Sequence, residues 1–260
     1  MKTLKITRLL LVLPLATVLL AGCEKKSAGP APPTTGSFAI ELESGVDAVP
    51  LVLNTRTYTK ADGQTFTVSK FKFLVSGLKL SKADGSTYAV PDSYYLVDAS
   101  DSKTSHIVVD NVPLGDYTGL SFVVGLDAAH NNATFQAGAI NHGNDLFWDM
   151  PPVSGYVFMR LAGNSAQAPT GRGLTFDIGG NACARTVAPA FHGAVLPVKD
   201  GHTPEIHIGA DVRALFESTT PANKVNFANT YSVESGSTWA PVVADNYAAG
   251  MFSVEHIHAN

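Results

Sequence analysis

The chain has 260 residues, a formal charge of −4 at pH 7, and 15% charged side chains against 45% hydrophobic ones. A mildly acidic chain with no basic stripe excludes nucleic acid as a partner. Beyond residue 20 no apolar run approaches the roughly 20 residues that a membrane-spanning helix needs. Two cysteines, Cys23 and Cys183, are too few for a disulfide framework.

Lys2, Lys5 and Arg8 precede an apolar run from Leu9 to Leu20, which closes on Leu20-Ala21-Gly22-Cys23. A run this short, ending on small residues, predicts a cleaved secretory signal over residues 1–22. The Leu-Ala-Gly-Cys ending resembles the lipobox of bacterial lipoproteins. That likeness implies that Cys23 carries the acyl anchor (palmitate or a similar chain) and becomes the mature N-terminus. With Glu24 rather than Asp behind it, the implied destination is the outer membrane of the cell envelope. Loss of residues 1–22 removes three basic residues and no acid, so the formal charge falls to −7. Residues 23–37 are polar and rich in Pro, Gly and Ser, the composition of a flexible tether. An acyl chain contributes about 0.8 kcal/mol per buried methylene, which holds a domain at a membrane it does not cross. With Cys23 lipidated, Cys183 stands alone and no intrachain disulfide can form.

Residues 38–260 read as one domain. Phe38-Ala-Ile-Glu-Leu-Glu43 alternates apolar and acidic residues, the period of a half-buried strand. Val49–Asn54 is a second short run, and Asp62-Gly63 marks a turn before Thr65-Phe-Thr-Val68. Lys70–Leu80 carries Phe71, Phe73 and Val75 on one face. Asp84-Gly85 makes another turn, followed by strand signals at Tyr88–Val90, Tyr94–Asp98, Ile107–Val109 and Tyr117–Leu126. Ala128–Asp149 has no strand period and predicts a long loop with one helical turn; its Trp, Phe and Met argue for order, and loops of this length are usually functional or disordered. Gly155–Leu161 is apolar on both faces, as a central strand would be. Gly173–Ile178 and Glu205–Val212 alternate, a helical turn is expected at Ala214–Glu217, and Met251–His258 closes the chain. Strands at 8–15-residue spacing without a sustained helical period predict an all-β fold, a β-sandwich or barrel-like single domain with a long ordered loop.

Motifs of catalysis are missing. There is no Gly-x-Ser-x-Gly elbow, no His-Glu-x-x-His and no phosphate-cradling glycine loop, so no enzyme is expected. The histidines carry the chemistry instead. His256-Ile-His258 places two imidazoles on one face of an extended strand, roughly 6–7 Å apart, able to chelate a metal ion if a third donor faces them. Imidazole suits copper and zinc, and intrinsic affinity favours copper. His130 and His142, each beside an Asn in the long loop, are the third-donor candidates, with Met150 a soft thioether nearby. Glu205, His207 and Asp211 share the outward face of their strand, as polar residues of any half-buried strand do. His106, His192 and His202 carry no spacing signal. Trp148 reads as a large core residue anchoring the loop.

An ordered set of segments resembles the MbnP-like family of bacterial lipoproteins, associated with copper handling and methanobactin gene clusters. The set runs Lys72–Leu80, Tyr95-Leu-Val-Asp98, Leu120–Gly125, Asn141-His142, Leu146-Phe-Trp148, Ser154–Phe158, Phe176-Asp-Ile-Gly179 and Ile206-His-Ile208, leading to Val212 and Phe216. The resemblance implies a β-rich extracytoplasmic domain that binds copper through histidines. It also implies a di-haem peroxidase partner resembling MauG, which oxidises a tryptophan to kynurenine. On this chain Trp148 would be that residue, and His142 lies in the family's Asn-His segment. The chain departs from the pattern at Asp177, where relatives commonly carry His, and at Cys183, where one branch carries four cysteines. The expected function is thus an envelope lipoprotein binding copper as scavenger, carrier or peroxidase partner. A reading of a different class is a metal-free surface β-sandwich that binds a protein or glycan through the long loop.

Overall fold

The structure, a computed structural model, describes residues 34–132, 138–150 and 153–259. The signal sequence, Cys23, most of the tether, and Pro151 and Pro152 lie outside these residues. The first strands are β1 (Thr35–Val46), β2 (Val49–Pro50), β3 (Tyr58–Thr59), β4 (Thr65–Ser81), β5 (Thr87–Ala89), β6 (Tyr94–Asp98), β7 (His106–Pro113), β8 (Gly115–Tyr117) and β9 (Gly119–Val124). A short helix, α1 (Ala128–Asn131), opens the long loop. There follow β10 (Phe147–Met150), β11 (Val153–Asn164), β12 (Leu174–Gly179), β13 (Arg185–Val187), β14 (Leu196–Val198), β15 (Glu205–Asp211) and β16 (Ser232–Val233). Helix α2 (Trp239–Gly250) and β17 (Phe252–His258) complete the fold.

Two sheets form an all-β sandwich around one core. In the smaller, β17, β15 and β1 are neighbours in that order, and β7 and β2 both pair with the far edge of β1. In the larger, the path runs β13-β9-β4-β11-β12-β16, with β10 on β11 and with β3, β5 and β6 on β4. The pair β8–β14 stands apart. Alternation decides which residues face inward. Phe38, Ile40 and Leu42 of β1 and Ile206 and Ile208 of β15 meet Phe71, Phe73, Phe158 and Phe176 of the larger sheet in one buried cluster. Phe252 joins the layers directly, with ring centroids 5.7 Å from Phe73 and 5.2 Å from Phe122. The segment Tyr156–Met159 of β11 is buried at every position and so on both faces, as its unbroken apolar run predicts.

Besides the short strands β3, β13, β14 and β16, which no local signal predicts, four elements differ from expectation. Strand β1 begins at Thr35, so the last residues assigned to the tether are sheet. Thr65–Val68 and Lys70–Leu80 are a single strand, β4, whose register shifts opposite Ala162 and Gly163. The run Phe147–Met150 is not loop but a strand paired with β11, which sets Trp148 opposite Gly155. Helix α2 is unanticipated, although Ala240, Val243, Ala244 and Tyr247 are buried at helical spacing. Pro241 obscures that period; within the first turn its missing N–H costs nothing.

Candidate metal centre

The outward face of the smaller sheet gathers the donors. Strand β15 alternates Glu205 and His207 outward with Ile206 and Ile208 inward. It runs antiparallel to β17, with His207 opposite His256 and Glu205 opposite His258. Strict alternation from Phe252 and Val254 would turn His256 toward the core. A β-bulge between the His207 and Ile208 positions absorbs Glu255 as an extra residue, so both Glu255 and His256 are exposed and His258 follows on the same face. Re-aiming a side chain is a common use of bulges beside functional sites.

The three rings of His207, His256 and His258 make one group. His207 and His256 stack with centroids 4.1 Å apart and planes at 18°. His258 stands edge-on to both, at 5.1 Å and 4.7 Å. One nitrogen from each ring lies within 4.8 Å of the others. The third imidazole facing His256 and His258 is therefore His207, not His142 or His130.

The next strands continue the band. Glu41 of β1 lies beside His207 in parallel register and opposite His106 of β7 in antiparallel register. Nδ1 of His106 is 3.1 Å from Glu41 and 3.2 Å from Glu205. Glu205 also reaches back, its other carboxylate oxygen 3.7 Å from Nε2 of His207. Glu43 stands 3.7 Å from Nδ1 of His207, too far for a hydrogen bond. That nitrogen is buried and has no hydrogen-bond partner. Next to the band opens a cleft of about 460 Å³, whose lining includes Glu41, Glu43, Asp211 and Glu255. Burial raises the Asp211 carboxyl above the ordinary range, more strongly than Arg213 and the backbone N–H groups lower it.

The other predicted residues lie elsewhere. His130 is held by Asp127, 2.7 Å from its Nδ1, and by the Tyr94 hydroxyl at 2.9 Å. Burial, with Asp127 adding to it, pushes the Tyr94 hydroxyl up to about 12. His142 stacks on Phe147 with centroids 3.5 Å apart and meets Tyr156 edge-on; its Nε2 is buried without a hydrogen-bond partner. Among the described residues neither histidine joins a group of three or more donor side chains close enough to share an ion. Trp148 is half-buried on β10 and is not the anchor of the loop. That work falls to Leu146, which is fully buried, and to Asp145, whose carboxylate lies 2.6 Å from Lys70 and 3.0 Å from Lys72. Cys183 is free and buried, and burial pushes its thiol up to about 11, where it stays protonated and unreactive. Asp177, at the position where relatives commonly carry His, is engaged by Arg160 through hydrogen bonds of 2.7 and 3.3 Å. It is a structural ion pair here.

The sequence profile of the MbnP family matches residues 35–237. The chain belongs to the MbnP family. Among solved structures, MbnP from Methylosinus trichosporium shares the fold, with a TM-score of 0.53 over 86% of this chain and 99% of that one, at 16% identity. None of the curated proteins compared with the chain matches it. The family match ends before α2 and β17. Of the three clustered imidazoles, only His207 belongs to the MbnP-matched region; His256 and His258 are brought by the C-terminal segment.

Proposed function

We propose that this MbnP-family protein binds copper on the outward face of its smaller sheet, with His207, His256 and His258 as the ligands. The observation that carries the reading is the convergence of three imidazole nitrogens within 4.8 Å on two strands fixed by backbone pairing. The donor set fits the ion: imidazole binds copper in both oxidation states. The orphaned Nδ1 of His207 is the kind of buried polar atom that needs a partner. Carboxylates Glu43 and Glu205, each 3.7 Å from a ring nitrogen of His207, place negative charge beside the site. The acid-lined cleft gives a cation a favourable approach.

In this reading the protein is a scavenger or carrier with no catalysis of its own, held in the cell envelope by a lipid on Cys23. Its partner is a di-haem peroxidase of the MauG kind, and Trp148, half-buried on β10, is the residue that partner would oxidise. Mass spectrometry of the Trp148 peptide from native protein checks this; unmodified tryptophan in every preparation removes the peroxidase partnership.

Copper(I) titration in competition with a chromophoric chelator tests the site. His207→Ala alone is expected to weaken binding by more than the roughly 10–100-fold that loss of an outer-shell partner costs. The variant lacking all three imidazoles is expected not to compete. Equal affinity in wild type and the triple variant overturns the assignment.

A further inference from the structure

We infer that the same sheet face holds a second cation site, formed by Glu41, His106 and Glu205, with Glu205 bridging it to the three-histidine site. The face would then take two copper(II) ions but one copper(I).

Four adjacent strands, β17, β15, β1 and β7, supply the six donors. The second group, like the first, brings one donor atom per residue within 4.8 Å of the others. Its residues belong to three different strands, and backbone register brings them together: Glu41 is paired with His106 on one side and with His207 on the other. The two oxygens of Glu205 divide between the groups, one 3.2 Å from His106 and the other 3.7 Å from His207. A carboxylate so placed can ligate one ion with each oxygen, the arrangement that joins paired metals about 3.5–4 Å apart.

Charge and hardness set the selectivity. Two carboxylates and one imidazole carry a charge of −2, and among the described residues no Lys or Arg pairs with Glu41 or Glu205. A divalent ion neutralises all of that charge. Carboxylate oxygens are hard donors and favour divalent ions, while the three imidazoles also accept copper(I). The number of copper ions bound would therefore differ between copper(I) and copper(II).

This inference rests on the copper reading for its first site only, and the experiment separates the two. The purified protein is dialysed to equilibrium against copper(I) under anaerobic reducing conditions, and separately against glycine-buffered copper(II); metal per chain is then measured. One copper(I) and two copper(II) are expected, the two-ion form giving a spin-coupled paramagnetic resonance signal well below the intensity of two isolated ions. The Glu41→Gln/His106→Asn variant should keep one copper(I) at unchanged affinity and fall to one copper(II). The His256→Ala/His258→Ala variant should lose copper(I) and keep one copper(II). If the three-histidine site alone fails, wild type binds no copper(I) and one copper(II), which Glu41→Gln/His106→Asn abolishes. Should that double variant not fold, His106→Asn, which alters an exposed ring, replaces it. A copper(II) count that is the same in wild type and the Glu41/His106 variant overturns the second site, as does an equal count of copper(I) and copper(II) in wild type.

Discussion

The outward faces of the two sheets solve the same problem in opposite ways. On the larger sheet three cations beside the long loop, Lys70, Lys72 and Arg160, each meet a carboxylate. Lys72 sits between Asp98 at 2.8 Å and Asp145 at 3.0 Å, Lys70 takes the other oxygen of Asp145, and Arg160 grips Asp177 at 2.7 Å. On the smaller sheet, among the described residues, carboxylates Glu41, Glu43 and Glu205 have imidazoles as their only cationic neighbours, Ser105 donating its hydroxyl to Glu41 besides. The first face is electrically closed and serves stability. The second gathers lone pairs with no permanent cation, which is what a site for a soluble cation requires. The contrast explains the departure at Asp177: on a face closed by Arg160, that position is structural.

The largest effect should follow from opening the closed face. Arg160 and Asp177 are 16% and 13% exposed, so removing Asp177 leaves a largely buried guanidinium with no nearer carboxylate than Asp145 at 3.9 Å. Asp177→Ala should cost about 3 kcal/mol in urea unfolding, and Asp177→His, which restores the residue relatives commonly carry, should cost a comparable amount. A loss under about 1 kcal/mol in both would show that the pair is solvated after all.

Next in size is closure of the open face by its ion. A ligand that binds only the folded chain stabilises it by about 2.7 kcal/mol at a hundredfold excess over its Kd. Copper(I) at that excess should raise the unfolding midpoint of wild type and leave that of His207→Ala unchanged. In the metal-free protein the same face should be indifferent to loss of a charge. Glu205→Gln touches only imidazoles, so its unfolding free energy should lie within about 1 kcal/mol of wild type. A metal-free loss as large as that of Asp177→Ala would make Glu205 a structural residue and erase the contrast between the faces.

How far the sequence discloses these faces depends on the range of the interactions. Period-2 alternation is local, so the sandwich, its inward residues and the shared face of His256 and His258 are legible. Which strands become neighbours is not local. His207 meets His256 only because β15 and β17 pair across the intervening α2, and because a bulge at Glu255 shifts the phase. Glu41 reaches the site through a parallel pairing of β1 with β15 that no turn signal announces. Read strand by strand, His207, Glu205 and His106 are ordinary outward residues; only register makes them a group. Trp148 misleads for a related reason. Large aromatics usually anchor loops by burial, but here Leu146 fills the core and Asp145 fastens the loop by charge.

That fastening gives the smallest of the expected effects, and its sign can be worked out. Burial alone would raise the Asp145 carboxyl, but hydrogen bonds from Lys70 and Lys72, with their charges, outweigh it and hold the group at about 2, below its ordinary 3.8. A carboxyl whose pKa is lower in the folded state stabilises the fold above the unfolded value. That contribution is lost as pH falls through the folded value. The Asp145 contribution should be complete above about pH 4 and fade as pH drops toward about 2. Since Asp145 is 39% exposed, solvent screening keeps the effect small, within about 1 kcal/mol. Acid titration of unfolding free energy should show wild type above Asp145→Asn near neutrality, with the two curves meeting in strong acid. Hydrogen exchange at Leu146 and Phe147 should quicken over the same interval, because the loop loses its clamp to β4 while the core beneath stays packed. A gap that is constant down to pH 2 would mean that packing, not charge, holds the loop to the closed face.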